Sequence, residues 1–146
     1  MEKHSKQEVK DPDGIECGKM LGQGSFGSVF ECQFEGRKYA AKRIPRRPLD
    51  RQTRQDFMKE ADILEKLPKH KNVISLHKKI VRDSEIILLL PLFETDLEKE
   101  LSRCRFKKRI FSTEDICSHF QQIVEGVQFL HSHHIAHRDL KVQANL

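Results

Sequence analysis

The 146-residue sequence has no tryptophan, one tyrosine, five prolines, seven glycines and four cysteines. So little proline and glycine excludes collagen-like and linker-like chains. The cysteines, Cys17, Cys32, Cys104 and Cys117, stand far apart without a C-x-x-C pair. That argues against a disulfide or zinc scaffold and for a reduced, cytoplasmic or nuclear setting. No apolar stretch approaches the roughly 18 residues of a membrane-spanning helix, the longest pure run being Ile86 to Leu90. The opening Met1-Glu2-Lys3-His4-Ser5-Lys6 lacks the apolar core of a secretion signal. Scarce aromatics also bear on nucleic acid. The net charge is +5, with basic clusters at Arg43, Arg46, Arg47, Arg51 and Arg54 and at Arg103, Arg105, Lys107, Lys108 and Arg109. With little stacking surface beyond nine phenylalanines and acids interspersed throughout, these clusters read as solvated basic faces rather than a nucleic-acid surface.

What is present is a chain 37% hydrophobic and 34% charged, sized for about one domain with a single core. Residues 1–14 are polar and end in Asp11-Pro12-Asp13-Gly14, a flexible tail closing in a turn. Three strands are expected next, one ending near Leu21, then Ser28–Phe34 and Lys38–Ile44, with a tight hairpin at Glu35-Gly36. Pro45 and Pro48 stop the third. From Asp50 to Leu67 the period becomes helical, placing Phe57, Ala61, Leu64 and Leu67 on one face before Pro68. Val73–Val81 and Glu85–Leu90 read as two strands, the second apolar enough to be covered on both faces.

After Pro91 the pattern is helical. Thr95 with Glu98 has capping-box spacing ahead of a short helix bearing Leu97, Leu101 and Cys104. Ser112 with Asp115 repeats it ahead of a longer helix, Thr113–Ser132. There Ile116, Phe120, Ile123, Val124, Val127 and Leu130 make the clearest amphipathic stripe in the chain.

Three groups of residues carry chemistry. Gly22-Gln23-Gly24-Ser25-Phe26-Gly27-Ser28-Val29 is a G-x-G-x-x-G-x-V segment, whose glycines let a backbone turn sharply and approach phosphates. A strand rather than a helix follows Gly27, which excludes a dinucleotide-binding fingerprint, and the G-K-[ST] of a P-loop is missing. Tyr39-Ala40-Ala41-Lys42 lies on the third strand, with a lysine able to reach back under the glycine-rich hairpin. A carboxylate on the following helix would hold that ammonium, and Glu60 is one of four neighbouring acids there. Last comes Ile135-Ala136-His137-Arg138-Asp139-Leu140-Lys141, where an aspartate in a loop after a helix is placed to accept a hydroxyl proton and Lys141 to steady a phosphoryl group. His131, His133, His134 and His137 have no cysteine or carboxylate cluster at ligand spacing, so no metal site is assigned and polar capping accounts for them.

In order and context these segments resemble the eukaryotic protein kinase family, serine/threonine type, over residues 15–141. The resemblance implies an α+β, protein-kinase-like fold: a five-stranded antiparallel N-lobe with one helix at 15–90, then hinge and partial helical C-lobe at 91–146. It implies ATP as cofactor. Leu21 and Val29 would cover the adenine and Ala40 line its pocket, while Gly22 through Ser28 cradle phosphates. Lys42 would contact the α/β-phosphates while paired with Glu60. Leu90 would be the gatekeeper, followed by Pro91, Leu92 and Phe93 as hinge, with Asp139 as catalytic base and Lys141 beside it. It also implies Mg2+ and a protein Ser/Thr substrate.

Two departures from the pattern matter. The position of the metal-binding asparagine, five after Asp139, is Ala144, with Asn145 one place late; and the segment Asp-Phe-Gly does not occur. The protein ligands of Mg2+ are therefore missing from this sequence, and independent activity is not expected. The alternative is a truncated pseudokinase serving as a protein-interaction module, its 113–132 stripe exposed to partners or chaperones. Val142–Leu146 breaks the family pattern, and valine codons begin with GT, the intron-start dinucleotide. The sequence is accordingly expected to run into an intron after Lys141, and cDNA sequencing across that junction should show a longer spliced product.

Overall fold

A computed structural model describes residues 11–24, 27–46 and 51–141. Eight elements follow in order: β1 (Glu16–Gly24), β2 (Gly27–Phe34), β3 (Arg37–Pro45), α1 (Arg51–Lys66), β4 (Lys78–Val81), β5 (Glu85–Pro91), α2 (Leu97–Phe106) and α3 (Thr113–Ser132). The strands form one antiparallel sheet in the order β1-β2-β3-β5-β4. This is the expected α+β architecture, a five-stranded sheet with one inserted helix and two helices after it.

The apolar run of β5 explains the arrangement. Ile86 through Leu90 are all buried, and because strand side chains alternate, they feed two cores. Ile87 and Leu89 join Cys32, Phe34, Tyr39, Ala41, Ile80 and Ile15 on one face. Ile86, Leu88 and Leu90 join Val29, Ala40, Ile44 and, from α1, Phe57 and Ala61 on the other. The β2–β3 hairpin turns through Glu35 at φ 49° and Gly36 at φ 74°. Two positive φ values in a two-residue loop match the twist of the flanking strands.

Several boundaries move. The first strand runs on to Gly24 because its ladder with β2 continues to the pair Gly24–Gly27. Pro45 is the last residue of β3, opposite Glu85, and Pro48 lies outside the described residues. The strand expected over Val73–Val81 shrinks to Lys78–Val81. The segment just before it leaves the sheet edge to meet α3: Asn72 Nδ2 donates to Glu125 Oε2 at 2.9 Å, and a Cβ on Gly126 would lie 2.7 Å from the Asn72 carbonyl. The cap of α2 is Asp96, one residue beyond Thr95, and its Oδ1 accepts from Lys99 N at 2.7 Å. A carboxylate there interacts with the helix dipole as well as the orphan amide. For α3 the expected capping box forms, with Ser112 Oγ accepting from Asp115 N at 3.0 Å. Among the described residues no helix is long and apolar enough to cross a membrane.

Residues 1–10 lie outside the described residues. The turn expected at Asp11–Gly14 closes with Gly14 N donating to Asp11 O at 2.9 Å. Arg82, between β4 and β5, pairs with both of its acids, reaching Asp13 Oδ2 at 2.6 Å and Asp11 as well. Arg82 Nη1 also donates to Glu85 Oε1 at 3.2 Å. Burial raises the Asp11 pKa, but the Arg82 hydrogen bond, aided by its charge, outweighs that and leaves the carboxyl below its ordinary 3.8. Stability from such a depressed group is complete above the ordinary value and is lost as pH falls through the folded one. Arg82→Ala should therefore cost about 2 kcal/mol at pH 7, with the deficit shrinking as pH drops below the ordinary aspartate value; urea titrations at several pH values measure it.

Candidate active site

The sheet register assembles the site. On β3, Ala40 stands between Glu31 of β2 and Leu90 of β5, and Lys42 between Val29 and Leu88. Ala40, Lys42 and Ile44 share the face that α1 covers, where Val29, Ala40 and Leu90 are buried together and Leu92 packs against them. The expected adenine-pocket residues Val29, Ala40, Leu90 and Leu92 thus form one apolar wall. Leu21, on β1, is exposed, as are Gln23 and Phe93, while Pro91 is half-buried opposite Tyr39.

Lys42 finds its carboxylate in α1. Lys42 Nζ donates to Glu60 Oε1 at 3.0 Å, with the two side chains 23% and 48% exposed. The neighbouring acids are engaged elsewhere. Lys79 Nζ donates to Asp62 Oδ1 at 2.8 Å and to Glu65 Oε2 at 2.5 Å, and Asp56 accepts from Gln52 at 3.0 Å. The choice left open among four acids is therefore settled as Glu60. The Lys42 ammonium also lies 6.0 Å from the centre of the Phe57 ring, and its strand neighbours Val29 and Leu88 belong to the buried cluster. Phe57 and Ala61 seat α1 on the sheet, which fixes the position of Glu60 between them on the helix.

The glycines divide into two kinds. A Cβ on Gly27 would meet the Arg43 carbonyl oxygen at 2.3 Å, so this glycine is dictated by the close approach of β2 to β3. Gly22 has nothing within 4 Å of a built Cβ, and Gly24 has only the Gly27 oxygen at 3.9 Å. Those two positions are bare without packing need, which leaves the space above them open to a ligand. Ser28, also assigned to the phosphate cradle, is half-buried opposite Gln23. Ser25 and Phe26, at the tip, lie outside the described residues.

Asp139 and Lys141 lie in the loop beyond α3. Lys141 Nζ is 2.9 Å from Asp139 Oδ2, with the aspartate side chain 71% exposed. The Asp139 amide donates to His137 Nδ1 at 3.3 Å, and Arg138 sits at φ 63°, a left-handed conformation that turns the chain between them. Among the described residues no hydrogen bond or ion pair joins this pair to Lys42 or Glu60. No group of three His, Cys, Asp or Glu is arranged to hold a metal among the described residues. Val142–Leu146, with Ala144 and Asn145, lie outside the described residues.

One feature escaped the sequence reading. His70 stacks on Phe129 of α3 with ring centres 4.5 Å apart. Asn72 and Lys71 both reach Glu125, the latter at 2.9 Å. This junction ties α3 to the segment after α1. Its one sequence signal is Gly126, a lone glycine inside an amphipathic helix, which marks a close approach.

Fold and site together define a kinase lobe carrying a lysine–glutamate pair on the sheet face that α1 covers. Residues 15–146 match the family described as the protein kinase domain. The chain belongs to the protein kinase family. It is 34% identical to human (Homo sapiens) death-associated protein kinase 2 over 147 aligned residues, 97% of this chain and 38% of that protein. It is 35% identical to serine/threonine-protein kinase 17A of Oryctolagus cuniculus over 138, covering 92% and 34%. Calcium-dependent protein kinase SK5 of Glycine max is 34% identical over 129, covering 86% and 25%. The chain thus spans well under half the length of these relatives.

The two kinds of glycine are separable by stability. Gly27→Ala should lower it by about 2 kcal/mol through the backbone clash, whereas Gly22→Ala should change it by less than about 0.5 kcal/mol; thermal denaturation of both variants checks this.

Proposed function

We propose that this chain binds ATP between its glycine-rich hairpin and the apolar wall. The whole protein to which it belongs is a serine/threonine kinase transferring the γ-phosphoryl group to protein hydroxyls. The observation that carries the reading is the Lys42–Glu60 pair, 3.0 Å apart on β3 and α1. It holds one cation on the face shared by Val29, Ala40 and Leu90.

The chemistry of this chain's residues follows. Val29, Ala40, Leu90 and Leu92 supply apolar surface for a planar base. Gly22 and Gly24, uncrowded where a Cβ would stand, leave room for phosphate oxygens to approach the backbone, and Lys42 neutralises phosphate charge while Glu60 fixes its ammonium. ATP, when bound, supplies the activated phosphoryl group. Asp139 is proposed to orient the incoming Ser or Thr hydroxyl and accept its proton, with Lys141 at its side. The segment Asp-Phe-Gly does not occur in the sequence, and Ala144, where the family pattern has asparagine, has no side-chain donor atom for a metal. These 146 residues are accordingly proposed to bind nucleotide without completing transfer.

A second reading has its own observation. On α3, Ile116, Phe120, Ile123 and Val124 are between 43 and 66% exposed, a surface suited to an interaction module or to chaperone recognition. The two readings part in a thermal-shift titration. ATP at about 100 times its Kd should stabilise the native chain by about 2.7 kcal/mol, and Lys42→Ala should abolish that shift. No shift in the parent chain leaves the interaction module. Magnesium-dependent phosphorylation above background by the 146 residues would overturn the proposed inactivity.

A further inference from the structure

We propose that Cys17 and Cys32 form an oxidisable pair across β1 and β2, which a hydroperoxide closes to a disulfide that staples the glycine-rich hairpin. The two cysteines are distant in sequence and share no motif, yet the register sets them directly opposite each other. Opposed residues of antiparallel strands have Cα atoms about 4.5–5.5 Å apart, within the span of about 4.4–6.8 Å that a disulfide bridges. Residues opposed in this way point to the same side of the sheet.

The environments of the two sulfurs differ, and the difference divides the work. Cys17 is exposed, and Arg43 Nη1 donates to its Sγ at 3.7 Å. Arg43 is itself gripped by Glu85, through contacts at 2.8 and 2.5 Å, so it holds the Cys17 sulfur in place. Cys32 is 2% exposed within the core. Burial, and then repulsion from Cys17, push its thiol up to about 11, against a hydrogen bond from the Tyr39 backbone. Cys32 is thus shielded from dissolved oxidant, while the register keeps it opposite Cys17. Cys17 meets the oxidant and Cys32 resolves the product.

The steps balance. The Cys17 thiolate attacks the hydroperoxide; a sulfur–oxygen bond forms, the O–O bond breaks, and the leaving oxyanion takes up a proton. The Cys32 sulfur then attacks Cys17 Sγ as it gives up its proton. The sulfur–sulfur bond forms, the sulfur–oxygen bond breaks, and water leaves. Two thiols lose two electrons and the hydroperoxide gains them. The staple falls at the base of the hairpin, beside the stretch where the β1–β2 register slips between Cys17 and Met20 and again before Gly22.

The experiment treats the 146-residue chain under native conditions with hydrogen peroxide, blocks free thiols, and digests it with trypsin without reduction. Trypsin cuts after Lys10, Lys19 and Arg37, so the pair appears as peptide 11–19 joined to peptide 20–37. That species should form, vanish on adding dithiothreitol, and raise Tm relative to the reduced chain. In Cys17→Ser, an exposed position whose change leaves the core intact, the linked species and the Tm rise should both be lost and Cys32 should remain a free thiol. Recovery of Cys17 as sulfinic or sulfonic acid with Cys32 unpaired, linkage of either one to Cys104 or Cys117 instead, or equal oxidation of Cys32 in Cys17→Ser would overturn the proposal.

Discussion

Everything in this lobe depends on one strand having no solvent side. Burying Ile86 through Leu90 contributes on the order of 10 kcal/mol at about 2 kcal/mol for each side chain, comparable with the whole net stability of a small domain. A strand of that kind can be satisfied only if material covers both faces. Residues of α1 cover one, with Phe57 and Ala61 packed among Ile86, Leu88 and Leu90. Strand residues and Ile15 fill the other, around Ile87 and Leu89. Because β3 pairs with β5 over seven positions from Tyr39–Pro91 to Pro45–Glu85, the alternation of β5 is imposed on β3. Lys42 is thereby set on the helix side of the sheet, one cation in a row of apolar residues.

That placement separates stability from function. A lysine flanked by Val29 and Leu88 has lost part of its hydration, and Glu60 compensates it across a gap of 3.0 Å. With Glu60 nearly half exposed, water screens the pair, and its worth to folding is small. Its value lies in geometry, since the pair exists only while α1 is seated. The seat is maintained by the apolar contacts of Phe57 and Ala61 and by Lys79 of β4 holding Asp62 and Glu65 farther along the helix. The weak interaction reports on the strong one.

The sequence made legible whatever is encoded locally. Ile86–Leu90 declared burial on both sides by having no polar residue. Ser112 and Asp115 declared the start of α3 because a capping box closes within four residues. Glu35-Gly36 declared a turn whose φ values are positive. The lysine, the glutamate and the Asp139 loop were legible through family resemblance, and the structure settled which acid Lys42 takes. What stayed hidden depends on distant partners. The shortened β4 follows from Asn72 meeting Gly126, on an element far along the chain. The packing need at Gly27, whose bare Cα is required by the Arg43 carbonyl, left no mark in its own segment. Cys17 and Cys32 looked unrelated, because a cross-strand register is a property of the ladder and leaves no local period. Even the start of α2 moved by one residue, because Thr95 and Asp96 offer equivalent local signals and the carboxylate makes the better cap.

The helices after the sheet obey a different balance. In α3 the sole buried residue is Gly126, so the helix is not held by a packed apolar face, the usual source of helical stability in proteins. An isolated 20-residue helix is marginal in water even with good caps. Its capping box, the acids Glu114 and Asp115 in its first turn and His131 in its last favour the helical state locally. Its orientation is left to a small junction: Gly126 against Asn72, Phe129 on His70, and Glu125 shared by Lys71 and Asn72. Only Gly126 lets the two backbones come that close, and only that approach brings the rings and the carboxylate within reach of their partners. The loop bearing Asp139 continues directly from this helix, so the position of the proposed base is inherited from a contact made by the segment after α1. The sheet positions the cation, the junction positions the carboxylate, and the segment from His70 to Asn72 is where the two meet.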